Sequence, residues 1–142
     1  MFTITKKEQL SADVFSMWIH APLIAEERQA GQFIILQLDE QFGERIPLTI
    51  ADADVASGDV RIIFQAVGAS TKRLAQMNVG EALPVFLGPL GRPTEIKKHE
   101  GAVVCVGGGI GVAPMHPIAQ AMKAAGNHFI VIIGARNKDL LI

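Results

Sequence analysis

The residues of this chain best suited to chemistry form the run Val106-Gly107-Gly108-Gly109-Ile110-Gly111-Val112-Ala113-Pro114. Glycines let a backbone bend sharply and approach a pyrophosphate closely. Pro114 suits the first turn of a helix, whose free N–H groups favour an anion by about 0.3 to 2 kcal/mol. A phosphate site would account for Gly107, Gly108, Gly109, Gly111, Ala113 and Pro114 together. From Gly109 the order is G-x-G-x-x-P rather than the dinucleotide fingerprint G-x-G-x-x-G. Gly134-Ala135-Arg136 stands after the next apolar run, where an acidic residue would complete that fingerprint. The same glycines also fit a tight strand-to-helix turn with packing value alone.

Two shorter signals carry similar chemistry. Val67-Gly68-Ala69-Ser70-Thr71-Lys72-Arg73-Leu74 sets a glycine, two hydroxyls and two cations at a helix start. That is a second phosphate-friendly arrangement, or else an ordinary cap with a solvated basic turn. Glu44-Arg45-Ile46-Pro47-Leu48-Thr49-Ile50-Ala51-Asp52 brings a cation, a proline and a hydroxyl into one strand. Pro47 marks an edge or bulge where backbone groups can meet a ligand, while Arg45 is also placed to pair with Glu44 or Asp39 at a rim. Other chemistries find less support. His20, His99, His116 and His128 lack metal-ligand spacing, so no metal site is expected. No serine stands in a nucleophile elbow, and Cys105 lies mid-strand, so covalent catalysis is not expected.

The elements that must position these residues fall into two patterns. Up to about Leu87, short β-branched and aromatic segments divided by turns predict an antiparallel all-β unit. Its strands are read at Thr3-Ile4, Val14 to His20, Gln32 to Leu38, Ile46 to Ala51, Val60 to Val67 and Leu83 to Leu87. In the second of these both alternating faces carry apolar residues, as in a small closed barrel. Ser70 and Thr71 predict the cap of a short helix reaching Met77, closed by Gly80. Gly88-Pro89-Leu90-Gly91-Arg92-Pro93 reads as a rigid connector between domains. Beyond Gly101, Ala102 to Val106 and Phe129 to Ile133 are apolar without alternation, as parallel strands covered on both faces read. Gly107 to Gly111 is the loop between them, and Met115, Ile118, Ala119 and Met122 follow helical spacing until Gly126. This is one β-α-β unit.

Composition sets the outer limits. At 142 residues the chain holds one domain and a fragment of another on the usual scale of about 100 to 200 residues per domain. Thirteen Lys and Arg against fourteen Asp and Glu give a net charge of -1, with no basic field for nucleic acid or an anionic membrane. Hydrophobic residues make up 49% and charged residues 19%, which predicts a large buried fraction. A single cysteine excludes an intrachain disulfide and fits a reducing, cytoplasmic setting. Met1 to Lys7 has no apolar stretch after its lysines and no apolar run reaches spanning length, so neither signal peptide nor membrane insertion is expected. A lone β-α-β unit leaves an apolar face and two strand edges bare, and the chain stops at Leu140-Leu141-Ile142. The expectation is therefore the N-terminal part of a longer protein, with boundaries at 1–97 for the barrel and 98–142 for the start of an α/β nucleotide-binding domain.

In order along the chain, the strings ERIPLTIAD, GPLG and GGGIGVAP resemble the ferredoxin-NADP reductase superfamily of flavoproteins. Within it, the electron-transfer subunits of the dihydroorotate dehydrogenase type and the alpha subunit of NADH-dependent ferredoxin-NADP reductase are most similar. The resemblance implies an all-β antiparallel flavin-binding barrel followed by the first β-α-β unit of an incomplete α/β nucleotide-binding domain. It places FAD against Pro47, Leu48 and Thr49, with the Thr49 hydroxyl near flavin N5 as the group that tunes the flavin, Arg45 toward the pyrophosphate, and Ile46 among the cofactor-binding residues. Ile63, Phe64 and Gln65 would flank its ribityl and adenosine part, and Gly68, Ser70 and Thr71 would hold its pyrophosphate. NAD(P)H would meet Gly107, Gly108, Gly109, Gly111, Ala113 and Pro114. Three departures stand out. Ile46 occupies the place of the arginine in the superfamily motif R-x-Y-S, with Arg45 one position earlier. The chain has no Tyr, so Leu48 replaces the stacking ring. The iron-sulfur cysteines of the electron-transfer subunits are absent.

The resulting expectation is an FAD-dependent oxidoreductase that passes electrons between NAD(P)H and an iron-sulfur centre or partner subunit through flavin. A [2Fe-2S] cluster would sit in a missing C-terminal part or in a partner such as a ferredoxin-like protein, in a hetero-oligomer. Two rivals remain open: an FAD-binding fragment without NAD(P)H activity, and a cofactor-free β-barrel interaction module. Arg136 is open both to a 2'-phosphate contact and to a solvated strand end.

Overall fold

Alternating apolar and polar side chains give each strand one face to bury, and a sheet with one apolar face hides it by curling on itself. The computed structural model, which describes residues 1–41 and 43–142, shows this outcome. Strands β1 (Phe2–Gln9) and β2 (Val14–His20) form a hairpin, and a short helix α1 (Pro22–Glu27) follows. Strands β3 (Phe33–Gln37), β4 (Ile46–Asp54) and β5 (Asp59–Gln65) continue the sheet. Helix α2 (Ala69–Gln76) precedes β6 (Ala82–Leu83) and β7 (Val85–Leu90). The chain then runs through β8 (Ala102–Gly108), a 3-10 turn (Gly109–Gly111), α3 (Val112–Ala124), β9 (His128–Gly134) and a second 3-10 turn (Lys138–Leu140).

The first seven strands make one antiparallel sheet in the order β6-β1-β2-β5-β4-β3-β7. Only Pro84 separates β6 from β7, so one stretch of chain pairs with β1 at one edge and with β3 at the other, and the barrel nearly closes. Proline has no N–H to give a ladder, so the switch between edges falls there. The single strand expected from Leu83 to Leu87 is thus two. Gly88-Pro89-Leu90, expected to open the connector, instead ends β7. Residues 93–99, beyond it, carry neither helix nor strand.

The core fills from alternate positions. Val60, Ile62 and Phe64 of β5 point inward and are at most 1% exposed, while Arg61, Ile63 and Gln65 lie on the outer face. Met17 and Ile19 of β2, Ile34 and Leu36 of β3 and Phe86 of β7 meet them. Each such side chain contributes about 1.5 to 3 kcal/mol by leaving water. Leu74, fully buried, pins α2 onto this core.

Strands β8 and β9 run parallel, paired from Ala102–His128 to Gly108–Gly134. Gly107 and Gly108, expected in a loop, therefore belong to the strand, and only Gly109–Gly111 turns. Helix α3 buries Ala113, Pro117, Ala119 and Met122; of the expected face Ala119 and Met122 are buried, while Met115 and Ile118 are only half-buried, so the packed stripe lies nearer Ala113 and Pro117. Gly126, at φ 84°, ends it. The helix also lies against β4, where His116 Nδ1 is 3.4 Å from the Ala51 carbonyl. Asn127, 8% exposed, ties the approach to the unit: it accepts from the His99 N–H at 2.8 Å and donates to the Lys97 and Met122 carbonyls at 3.0 and 2.9 Å. The far face of the pair is bare, as a lone β-α-β unit requires: Val104, Val106, Ile130 and Ile132 are 53, 70, 45 and 52% exposed. Among the described residues no helix is long and apolar enough to cross a membrane.

Candidate functional site

Two signals distant in sequence meet on the outer face of the barrel. Antiparallel pairing of β4 with β5 sets Pro47, Leu48 and Thr49 near Ile63 and Gln65, and the packing of α3 on β4 lowers the glycine turn onto them. The result is a cavity of about 240 Å³ lined by Pro47, Leu48, Thr49, Ile63, Phe64, Gln65, Ile110, Gly111, Ala113 and Pro114. Its walls are aliphatic on both sides, with the half-buried Thr49 hydroxyl and the Gln65 amide as polar groups. A slot of this kind suits a flat, largely apolar ring that needs one or two fixed hydrogen bonds.

Leu48, between the buried Ile46 and Ile50, is half-buried and packs against the core while still lining the cavity, and two other expected residues turn inward outright. Ile46 is 8% exposed and joins the core cluster, because the alternation that turns Pro47 outward turns Ile46 in. Its side chain is therefore spent on packing, and it does not line the cavity. Phe64 is likewise turned into the barrel, stacked on Phe15 at 5.9 Å between ring centroids, and forms the floor of the cavity rather than a wall.

The glycine run divides by what a side chain would meet. A Cβ at Gly107 would lie 3.1 Å from Met115 Sδ and 3.2 Å from Val112 Cα, so this glycine serves packing. At Gly108, Gly109 and Gly111 it would meet nothing within 4 Å. Packing does not explain these three. Open space over bare backbone at a strand-to-helix turn fits a ligand that approaches closely, and Gly109 also holds φ 52°, in the left-handed region. The same turn walls a larger cavity, about 570 Å³, between Asp13, Val14 and Gln65 on the barrel and Gly108 to Ile110, Gly134 to Arg136 and Leu140 opposite.

The second expected phosphate site is built differently from the expectation. Gly68, not Ser70 or Thr71, occupies the cap of α2; Thr71 reaches back, accepting from the Gly68 N–H at 3.0 Å and donating to its carbonyl at 3.1 Å. Ser70 donates to the Glu44 carboxylate. Together with Arg73, Leu38, Gly43 and Ala69 these two line a cavity of about 260 Å³. Arg45 is exposed, and Glu44 is the residue that reaches the helix. Asp13 does not figure in the sequence reading, Glu44 figures only as a partner for Arg45, and Arg73 only as one of two cations at the helix start. Arg73 was legible as a cation one turn along the helix from Ala69, whereas Asp13 depends on strand register. Among the described residues no group of three His, Cys, Asp or Glu is placed to hold a metal ion.

No protein-family model matches the chain. The dihydroorotate dehydrogenase B electron transfer subunit homolog of Thermotoga maritima is 45% identical over 139 residues, 98% of this chain and 49% of the relative. The solved NADH-dependent reduced ferredoxin-NADP oxidoreductase, studied for flavin-based electron bifurcation, superposes at TM-score 0.94 with 44% identity over 100% of this chain and 51% of that one. Phthalate dioxygenase reductase shares the fold at TM-score 0.74 and 19% identity, over 98% of this chain and 44% of its own. A near-closed antiparallel barrel joined to a glycine-turn β-α-β unit is thus the architecture the chain shares with these reductases, and in it the chain is similar to the ferredoxin-NADP reductase superfamily of flavoproteins. Relatives at 30 to 45% identity include electron-transfer subunits of dihydroorotate dehydrogenase B. The chain spans about half the length of the curated relatives it matches.

Proposed function

We propose that the chain is the FAD-binding and nucleotide-receiving part of an electron-transfer subunit, carrying electrons between NAD(P)H and an iron-sulfur centre or partner subunit. The observation that carries this reading is the single cavity shared by Pro47, Leu48 and Thr49, by Ile63 and Gln65, and by the turn from Ile110 to Pro114. FAD, when bound there, would accept a hydride from the nucleotide and release electrons one at a time. The chain's own part is positioning and exclusion of water. Pro47, Leu48, Ile63 and Ala113 supply an apolar wall, worth its burial rather than a stacking ring. Thr49 donates a hydrogen bond into the slot, and no side chain has to act as acid or base.

In this reading, Gly108, Gly109, Gly111 and Pro114 receive the dinucleotide, and Gly68, Ser70 and Thr71 with Arg73 hold the flavin pyrophosphate. The barrel is assigned to 1–97 and the nucleotide unit to the residues from 98. The partner is a redox subunit in a hetero-oligomer, and a lone buried thiol at Cys105 is compatible with a reducing cytoplasm. The test is the absorption spectrum of the FAD-reconstituted chain before and after anaerobic NADH and then NADPH. Flavin bands that bleach are expected. Folded protein that takes up no FAD overturns the reading, and flavin bands that neither nucleotide bleaches overturn its nucleotide half.

A further inference from the structure

The two cavities on the outer face share two residues, Gln65 and Ile110. A dinucleotide lying in the larger one, with its nicotinamide brought up to a flavin ring held in the smaller, must reach the junction between them. At this junction the Gln65 amide is already committed: its Nε2 donates to Asp13 Oδ2 at 2.6 Å. An ionised carboxylate only accepts, so Asp13 decides which end of the amide is nitrogen, a choice that an isolated glutamine leaves open. Gln65 Oε1 is then the end left for a ligand, and it is an acceptor. Asp13 is itself held just before β2 by a bond beyond the ladder, since its carbonyl accepts from the Ala66 N–H at 2.7 Å, and this bond does not involve its side chain.

We infer that Asp13 is a positioning residue, fixing Gln65 so that Oε1 accepts from the carboxamide N–H of a nicotinamide at the junction of the cavities. The inference rests on the nucleotide-binding reading above and adds a determinant contributed by the barrel rather than by the glycine turn. A flavin contact would place the same demand on FAD instead, so the two are separable by ligand.

The test compares NADH with reduced 3-acetylpyridine adenine dinucleotide, in which a methyl ketone replaces the carboxamide and no N–H remains. Rates of anaerobic flavin reduction are measured on the FAD-loaded chain, separating KM from the limiting rate. Gln65→Leu removes the oxygen and Asp13→Ala the anchor. Each is expected to raise KM for NADH about fivefold, the net worth of one hydrogen bond, and to leave KM for the acetylpyridine analogue unchanged. Asp13→Asn, whose amide can present either end to Gln65, should fall between them and the parent chain. KM values that rise equally for both nucleotides, or for neither, overturn the inference while leaving the reductase reading standing. Weakened FAD binding in Gln65→Leu assigns the amide to the flavin and overturns it too. If the parent chain binds FAD but neither nucleotide reduces it, the nucleotide reading fails and the inference with it.

Discussion

At the scale of single residues, four glycines of one run have different duties. Gly107→Ala forces a methyl against Val112 Cα and Met115, and should destabilise the fold by about 1 to 3 kcal/mol in a urea titration. Gly108→Ala meets nothing and needs no left-handed backbone. It should therefore leave the urea midpoint unchanged while weakening nucleotide binding, measured as the NADH concentration giving half-maximal flavin reduction. An unchanged NADH dependence would return Gly108 to the packing-only reading. Thr49→Val conserves shape and removes the hydroxyl. FAD should still bind, while the limiting rate of flavin reduction falls about tenfold, equal to about 1.4 kcal/mol for one lost hydrogen bond. The residue types of this site were legible in the sequence because glycine, proline and hydroxyl at those spacings have few uses. The opposite faces of Ile46 and Pro47 follow from period-two alternation, which the motif resemblance alone did not apply. Asp13 was invisible because its partner lies 52 positions away.

At the scale of elements, local pattern predicted well where one residue class dominates. Strand β2 matched its expected bounds, Val14 to His20, because apolar side chains occupy both its faces. Strand β1 was read as Thr3-Ile4 alone, since Lys6, Lys7, Glu8 and Gln9 are polar; its length comes from pairing with β2, not from its own composition. Helix α1 was missed because six residues make less than two turns, with Pro22 at its start as the only signal. Helix α2 was found, and its hold on the barrel rests on Leu74, its one buried side chain. Leu74→Ala should lower stability by about 2 to 5 kcal/mol. Because α2 carries the proposed pyrophosphate contacts, the same variant should bind FAD more weakly at denaturant concentrations where the sheet remains folded. Loss of stability with unchanged FAD affinity would detach α2 from the flavin.

At the scale of the whole molecule, the sheet orders reflect two ways of hiding apolar surface. The barrel folds its inner face away, whereas β8 and β9 leave Val104, Val106, Ile130 and Ile132 open on the side away from α3. A contiguous apolar patch of that kind promotes non-specific association. The 142-residue chain should show a weight-average sedimentation coefficient that rises with concentration, and Val106→Thr with Ile132→Thr should suppress the rise without altering FAD uptake. A parent chain that stays monomeric at all concentrations would count against this account. The continuous apolar runs of the sequence anticipated parallel strands, and with them this bare face, because such strands are built to be covered on both sides.

The break at Pro84 also bears on synthesis. Pairing partners for β1 and β3 come from one short stretch, Ala82 to Leu90, which leaves the ribosome after all the other barrel strands. At about 5 to 20 residues per second, a nascent chain ending before Ala82 carries two unpaired strand edges for seconds. Slowing translation just upstream should make this chain more dependent on chaperones than slowing it after Leu90.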